Sequence, residues 1–515
     1  MRERFIKSIA VLTTILLSLL VCYALYGQIN QFINPYPAEY RNGAHAYMAK
    51  QISEGVNPYL MENVTYSNAY VYGPVMPYIA GGGMSITGLS ALTCLKIVDF
   101  LCLLALVVLI VLSIFHFSRS WLFSLLGGAV YMGFCQVSPS PDHMGMLLEI
   151  ACIIISDRMI HTEKKRYWCY GLIAALTVIL FYVKVTYVLI AIPIFITLWM
   201  EDRKGAVTYA LTGMLIGGGS LLILYFAYPL ALINMIYIQM VEKSNIISAD
   251  GILIALRSFA VFGKRYFIFI IMSMGVLIVN IISKKRNGHA IIVVPRIFAV
   301  VITTLLIPTF YMAMNIGGGA YHNQLIGPNL IILGCICGAG LMRKYDKCIL
   351  WCVFFVCTIC NAIISAGDIS RPNSEQENAN WEKMYALLDA HVADGQELYL
   401  SSEFACYAVD KDIPIYDNGQ GYYLMIGTKS YIPGLYDVGE RYKWLVPALG
   451  ELNIRAVELA EDLRTKIKNR EFGAVVGTFN EDLFAEEVQD NYKYVDSVIL
   501  RMGGEIIESK LYIPR

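Results

Sequence analysis

The sequence predicts an α-helical multi-pass membrane protein of about eleven crossings plus a re-entrant or half-helix segment, with a C-terminal extracytoplasmic α/β domain. Three observations carry this. Of 515 residues, 57% are hydrophobic and 16% charged, and the mean hydropathy is +0.56, more apolar surface than a soluble fold can cover. Apolar runs of crossing length recur as far as residue 366, and charge density rises abruptly from Gly367. These features set a polytopic membrane domain at 1–366, with an outer loop at 28–70, and a soluble domain at 367–515. Lys plus Arg equals Asp plus Glu at 40 each, which removes any global argument for nucleic acid as a partner. The 13 cysteines form neither a zinc spacing nor a disulfide framework.

Residues 1–27 open on Arg2, Arg4 and Lys7 and resemble a signal peptide, but the ten further apolar runs favour an uncleaved first span. Spans are predicted near 8–27, 71–89, 97–117, 144–160, 167–183, 185–200, 206–228, 264–282, 290–311, 325–341 and 348–366. Basic clusters at Arg2/Arg4/Lys7, Lys164–Arg166, Arg203/Lys204, Lys284–Arg286 and Arg343/Lys344/Lys347 all fall on the cytoplasmic side only if 120–138 does not cross. Its Gly127-Gly128 pair and the following Pro139 and Pro141 suit broken helices buried in protein. The N-terminus is then cytoplasmic, and the outer face receives loop 28–70, Pro141-Asp142-His143, a turn at Lys184, a loop at 229–263 and the tail. In the tail the pattern reads helix (380–392), strand (397–401), helix (451–470), strand (473–479) and a final strand pair.

Within 43–54, Ala44, Met48 and Ile52 share one helical face while Arg41, His45, Lys50 and Glu54 point elsewhere, which suits a helix lying along the membrane surface. Glu39 precedes it, either capping its N-terminus or facing a cavity. Asp142, in "SPSPDHMG", is a second acid on the same face. Lys184 interrupts a long apolar run, where an ionisable group is costly and by default a functional candidate, snorkelling being the alternative. His322, beside Gly317–Gly319, and the Arg257/Lys264/Arg265 group supply further cations.

The acid after the first span, "GVNPY", "YVYGPVMPYI", "SPSPDHM", "YVKVTYV" and "GGGAYHNQLIGP" follow one another over residues 1 to 345. In that order they resemble the GT-C superfamily of membrane glycosyltransferases, nearest the bacterial relatives of protein mannosyltransferases and aminoarabinose transferases. The resemblance implies a sugar taken from a polyprenyl-phosphate donor and passed to a lipid, glycan or protein acceptor at the outer face of the cytoplasmic membrane. It implies Glu39 and Asp142 as the catalytic acids, and Lys184 and His322 as donor-phosphate contacts, with Arg257 and Arg265 grouped beside them as cations. "VYGPV" departs from the Pro-Pro forms of several branches, and the first acid is more often Asp, which leaves sugar and subfamily open.

Such a transfer needs a carboxylate to accept the acceptor's proton and cations to hold the departing phosphate. For inversion these belong on opposite walls of the cavity. Asp142 either orients the acceptor or joins Glu39 around an optional divalent ion, for which carboxylates suit Mg²⁺ or Mn²⁺. A lipid or glycan transporter or flippase is the alternative reading. Against it, neither related halves nor midplane charges are evident.

Overall fold

The computed structural model describes residues 2–65, 67–135, 137–162, 167–242, 247–287, 289–314, 324–345, 347–368, 375–393, 395–416, 420–429, 434–477, 484–502 and 505–515. Helix α1 (Arg2–Ile33) is followed by α2 (Asn42–Ser53), α3 (Val75–Thr87), α4 (Ala91–Ser118) and α5 (Trp121–Phe134). Ser90 caps α4 by accepting the Thr93 amide, and Gly88, at φ +69°, ends α3 in a left-handed conformation that costs glycine little.

Two predicted spans exchange roles. Lys96, near the start of α4, donates to the carbonyls of Asn34 and Tyr36, just past the end of α1. Helix α4 therefore starts at the end of the bundle where α1 stops. Helix α3 begins at that same end, since the Gly73 amide donates to Val183 O, so the 71–89 stretch lies across the bundle end instead of crossing. It is held against α2, where a Cβ on Gly81 would lie 2.7 Å from Ala49 O.

Helix α5 does the opposite. It leaves the far end of α4, packs Gly127 and Gly128 against Ile114 and Val111, and arrives where Gln28 donates to Cys135 O and accepts from the Val137 amide. The segment is one unbroken 14-residue helix and not a hairpin. The glycine pair permits close helix approach, and Pro139 and Pro141 stand beyond the helix end.

Next come α6 (Asp142–His161), α7 (Tyr167–Val183), α8 (Val185–Glu201), α9 (Arg203–Ala227), α10 (Pro229–Val241) and α11 (Ala249–Asn287). Lys184 sits between α7 and α8, and Asp202 caps α9 through the Gly205 amide. The loop expected over 229–263 is largely helical, because α11 starts at Ala249 and carries Arg257, Lys264 and Arg265 within its length. Its 39 residues span about 58 Å, well beyond the roughly 30 Å of a hydrocarbon core.

Helices α12 (Arg296–Ala313), α13 (Gly327–Tyr345) and α14 (Cys348–Asp368) complete the bundle. α13 runs parallel to α11, with Gly334 against Phe269 and Gly338 against Met272. Among the described residues, six helices are long and apolar enough to cross a membrane: α1, α4, α9, α11, α12 and α14. Of the shorter ones, α5, α7, α8 and α10 are also apolar. Lys164–Arg166 lie outside the described residues.

The tail comprises α15 (Glu375–His391), β1 (Leu398–Leu400), α16 (Ala405–Asp410), α17 (Tyr422–Gly427), α18 (Leu435–Tyr442), α19 (Ala448–Asn469), β2 (Ala474–Gly477), α20 (Ala485–Asn491), β3 (Tyr492–Met502) and β4 (Glu505–Pro514). The sheet order is β1-β2-β4-β3, with β1 and β2 parallel and the other pairs antiparallel. This α/β unit docks on α2: a Cβ at Gly43 would meet Ala405 Cβ at 2.2 Å, and Lys50 donates to Asp412 at 2.7 Å and to Val409 O at 2.9 Å. Helix α2 is therefore not a surface floor. Asn42 through Ala46, Met48 and Ala49 are buried between α3 and the tail.

Candidate functional site

Chain geometry at the bundle end that carries the tail gathers charges distant in sequence. Asp142 opens α6 after Pro139-Ser140-Pro141, and Lys184 closes the turn after α7. Lys184 Nζ donates to Asp142 Oδ1 at 2.7 Å, and the Tyr187 hydroxyl donates to the same oxygen at 3.2 Å. Glu39 Oε2 accepts from Arg41 Nη2 at 2.9 Å, and Arg41 Nη1 donates to the Tyr72 hydroxyl at 3.2 Å. The Tyr72 ring receives the Lys184 ammonium 5.5 Å from its centroid, so Tyr72 bridges the two ion pairs. The link is anchored at its rim, where Asn42 Nδ2 donates to Pro139 O at 3.1 Å. All four charged side chains are mostly buried, at 23% exposure for Arg41, 15% for Glu39, 12% for Lys184 and 15% for Asp142.

Behind this cluster, His45 Nδ1 lies 2.7 Å from the Tyr70 hydroxyl, and its ring is 5.0 Å from that of Tyr72. Burial, helped by the charge of Arg41, pushes the His45 imidazole down to about 3, so it is neutral at physiological pH. On the α4 side, Asp99 Oδ1 is 2.8 Å from His143 Nδ1, while Asp99 Oδ2 accepts the Ser138 amide at 3.1 Å. This buried pair grips the 138–143 stretch on both sides of Asp142.

The structure thus brings together Glu39, Asp142 and Lys184, as the sequence pattern anticipates. It differs in arrangement: each acid holds a cation directly, where acids and cations were expected on opposite walls. Glu39 does not cap α2, which has no side-chain cap; its carboxylate goes to Arg41. Arg257 and Arg265 stand on α11, with the Arg265 guanidinium over the Phe134 ring at 5.7 Å, and Asp142 takes its cation from Lys184 instead. His322 lies outside the described residues. Sequence reasoning missed Arg41, placed two residues from Glu39 where an i, i+2 pair can meet only in non-helical chain, and missed the Asp99–His143 pair.

The close approach that aligns Tyr72 with Lys184 depends on Gly73, where a Cβ would fall 1.7 Å from Tyr182 O. Gly73→Ala is expected to cost about 1–3 kcal/mol by overpacking, read as a lowered Tm in detergent.

An apolar groove of about 450 Å³ runs between α7, α8 and α9, lined by Phe181 and Val188 near Lys184 and by Ala174, Gly213 and Gly217 deeper down. A larger cavity, about 760 Å³, lies at the opposite end among His116, Asp157, His161 and Arg296. It is remote from the ion pairs.

No protein-family model matches the chain, and no curated protein does. Solved structures do. ArnT from Cupriavidus metallidurans bound to undecaprenyl phosphate aligns over 96% of this chain and 97% of its own, at 9% identity and a TM-score of 0.54. The chain shares the fold of this structure. A second structure, the Archaeoglobus fulgidus oligosaccharyltransferase in complex with Zn and sulfate, aligns over 97% of this chain and 72% of its own, at 11% identity and a TM-score of 0.51. ArnT from C. metallidurans in the apo state aligns over 96% and 97%, at 10% identity and a TM-score of 0.51.

The GT-C fold raises the question of a divalent ion at Glu39 and Asp142. Among the described residues no group of three or more His, Cys, Asp or Glu could hold a metal ion. Each candidate carboxylate is already neutralised by its own cation, at 2.9 and 2.7 Å. A divalent ion at Glu39 and Asp142 would therefore have to displace Arg41 and Lys184 from them.

Proposed function

We propose that the chain is a glycosyltransferase that moves a sugar from a polyprenyl-phosphate donor to a hydroxyl-bearing acceptor at the outer face of the cytoplasmic membrane. The observation that carries this reading is the doubled ion pair, Glu39–Arg41 and Asp142–Lys184, bridged by Tyr72, together with an apolar groove whose lining residues Phe181 and Val188 stand within four positions of Lys184 in the chain. The likeness of the fold to a protein bound to undecaprenyl phosphate supports it.

In this reading the prenyl tail lies between α7, α8 and α9, and its phosphate reaches Lys184 and Arg41. Phosphate competes with the carboxylates for these cations, so donor binding unmasks the acids. Glu39 then takes the proton of the acceptor hydroxyl as its oxygen bonds to the anomeric carbon. The bond from that carbon to the phosphate oxygen breaks, and the phosphate leaves with its added charge on Lys184 and Arg41. Asp142, fixed by Tyr187, orients the acceptor. The departing group is a stable anion, so no general acid is required.

The same reading takes α1, α4 to α9 and α11 to α14 as the crossing helices, with the N-terminus cytoplasmic. Residues 1–366 form the membrane domain and 367–515 the extracytoplasmic one. The described clusters Arg2/Arg4/Lys7, Arg203/Lys204, Lys284–Arg286 and Arg343/Lys344 stand at helix ends remote from the site, which supports this orientation.

The test is incubation of membranes containing the protein with a panel of radiolabelled polyprenyl monophosphate and diphosphate sugars. Label is expected to pass from a monophosphate donor to an acceptor. Movement of intact labelled lipid across the bilayer without transfer would replace the enzyme with a flippase, and transfer from diphosphate donors alone would replace it with a glycan ligase.

A further inference from the structure

The turn between α18 and α19 exposes Tyr442 (41%), Trp444 (75%) and Leu445 (53%). Soluble domains rarely leave a tryptophan and a leucine together in water at a turn tip. The turn itself is well formed, the Leu445 and Val446 amides both donating to Tyr442 O at 2.9 and 3.1 Å. Its position is fixed by the bundle: the Tyr225 hydroxyl, in the last turn of α9, donates to Leu445 O at 3.0 Å.

Helix α9 is one of the apolar spanning candidates, and only 6% of its most apolar window is buried. Leu222 (61%), Ile223 (59%) and Phe226 (78%) keep its final turns open to the surroundings. Trp444 and Leu445 therefore continue the lipid-facing surface of α9 just past the end of the helix. This is the level at which tryptophan and tyrosine place an apolar body in lipid and a polar edge in the headgroups. Arg441, exposed, flanks the tip with positive charge suited to lipid phosphates, while Lys443 is paired with Glu440 at 2.6 Å.

We infer that the turn over residues 442–446 inserts into the headgroup layer of the bilayer beside α9, so that the C-terminal domain is held by lipid as well as by the helical bundle. Trp444 and Leu445 are the inserted side chains, and Arg441 faces the phosphates. The inference is independent of any transfer chemistry.

Full-length protein and its Trp444→Phe variant, each reconstituted in lipid nanodiscs, give the Trp444 emission by difference. That component is expected to be blue-shifted, at least halved by lipids brominated near the headgroup, less affected by bromine at the chain ends, and protected from aqueous acrylamide. Emission in the aqueous range, quenched by acrylamide and untouched by either brominated lipid, would overturn the insertion. The remaining tryptophan spectrum checks that the variant folds, and a Leu445→Cys variant carrying a nitroxide supplies a second depth reading. Relaxation of that label by a water-soluble paramagnet in preference to dissolved oxygen would overturn the insertion as well.

Discussion

Glu39→Gln is expected to lower sugar transfer by about 10² to 10⁴-fold while leaving the protein folded and inserted. The amide keeps the volume of the carboxylate, and its oxygen still accepts from Arg41 Nη2, now 2.9 Å from Glu39 Oε2. Only the capacity to take a proton is removed. The loss should therefore fall on kcat with the donor KM little changed, because the cations proposed to hold the phosphate remain. Activity within twofold of the wild type would remove Glu39 as the base and leave Asp142 as the candidate.

The second large effect concerns stability. Lys184→Met is expected to destabilise the protein by about 3–5 kcal/mol, because it strands the Asp142 carboxylate in a mostly buried position. Both partners are at most 15% exposed, so solvent screens the pair little. Adding Asp142→Asn to Lys184→Met removes the stranded charge and should restore most of the lost stability, read as Tm in detergent. Transfer activity should not return, because the phosphate contact and the acid are both gone. If the double variant is as unstable as Lys184→Met alone, the pair is not the electrostatic unit drawn here. If it is as active as the wild type, the pair has no part in the chemistry.

Much of this arrangement is legible in the sequence because membrane burial makes charge conspicuous. Lys184 stands out in an apolar run, and Asp142 stands out between prolines and an apolar helix, so both could be singled out without a structure. Their contact, across 42 positions of chain, could not. Hydropathy measures transfer from water and is indifferent to whether an apolar helix crosses the bilayer or lies across the end of a bundle. That is why α3, apolar through Gly81-Gly82-Gly83, read as a span, and once it was counted as one, only a non-crossing α5 kept the basic clusters on a single side. Glycine in each case allows close packing, of α3 on α2 and of α5 on α4. The burial of α2 was hidden for a different reason. The surface that covers it comes from residues more than 300 positions later, such as Ala405 and Asp412, and no local pattern announces a distant lid. The tail's strands and its two long helices, by contrast, depend on local periodicity and were readable in order, whereas the short helices α16, α17, α18 and α20 were not.

The docking of the tail on the first loop also sets a timetable for biosynthesis. Ser67 donates to Ile415 O and the Val71 amide to Gln420 Oε1, so the segment leading to Tyr72 and Gly73 reaches its final form only after residues 415–420 have been made. The helices made first must wait for that part of the tail to arrive. A nascent chain released before the tail is made would contain Glu39, Arg41, Asp142 and Lys184 and still lack the contacts that hold Ser67 and Val71 in place.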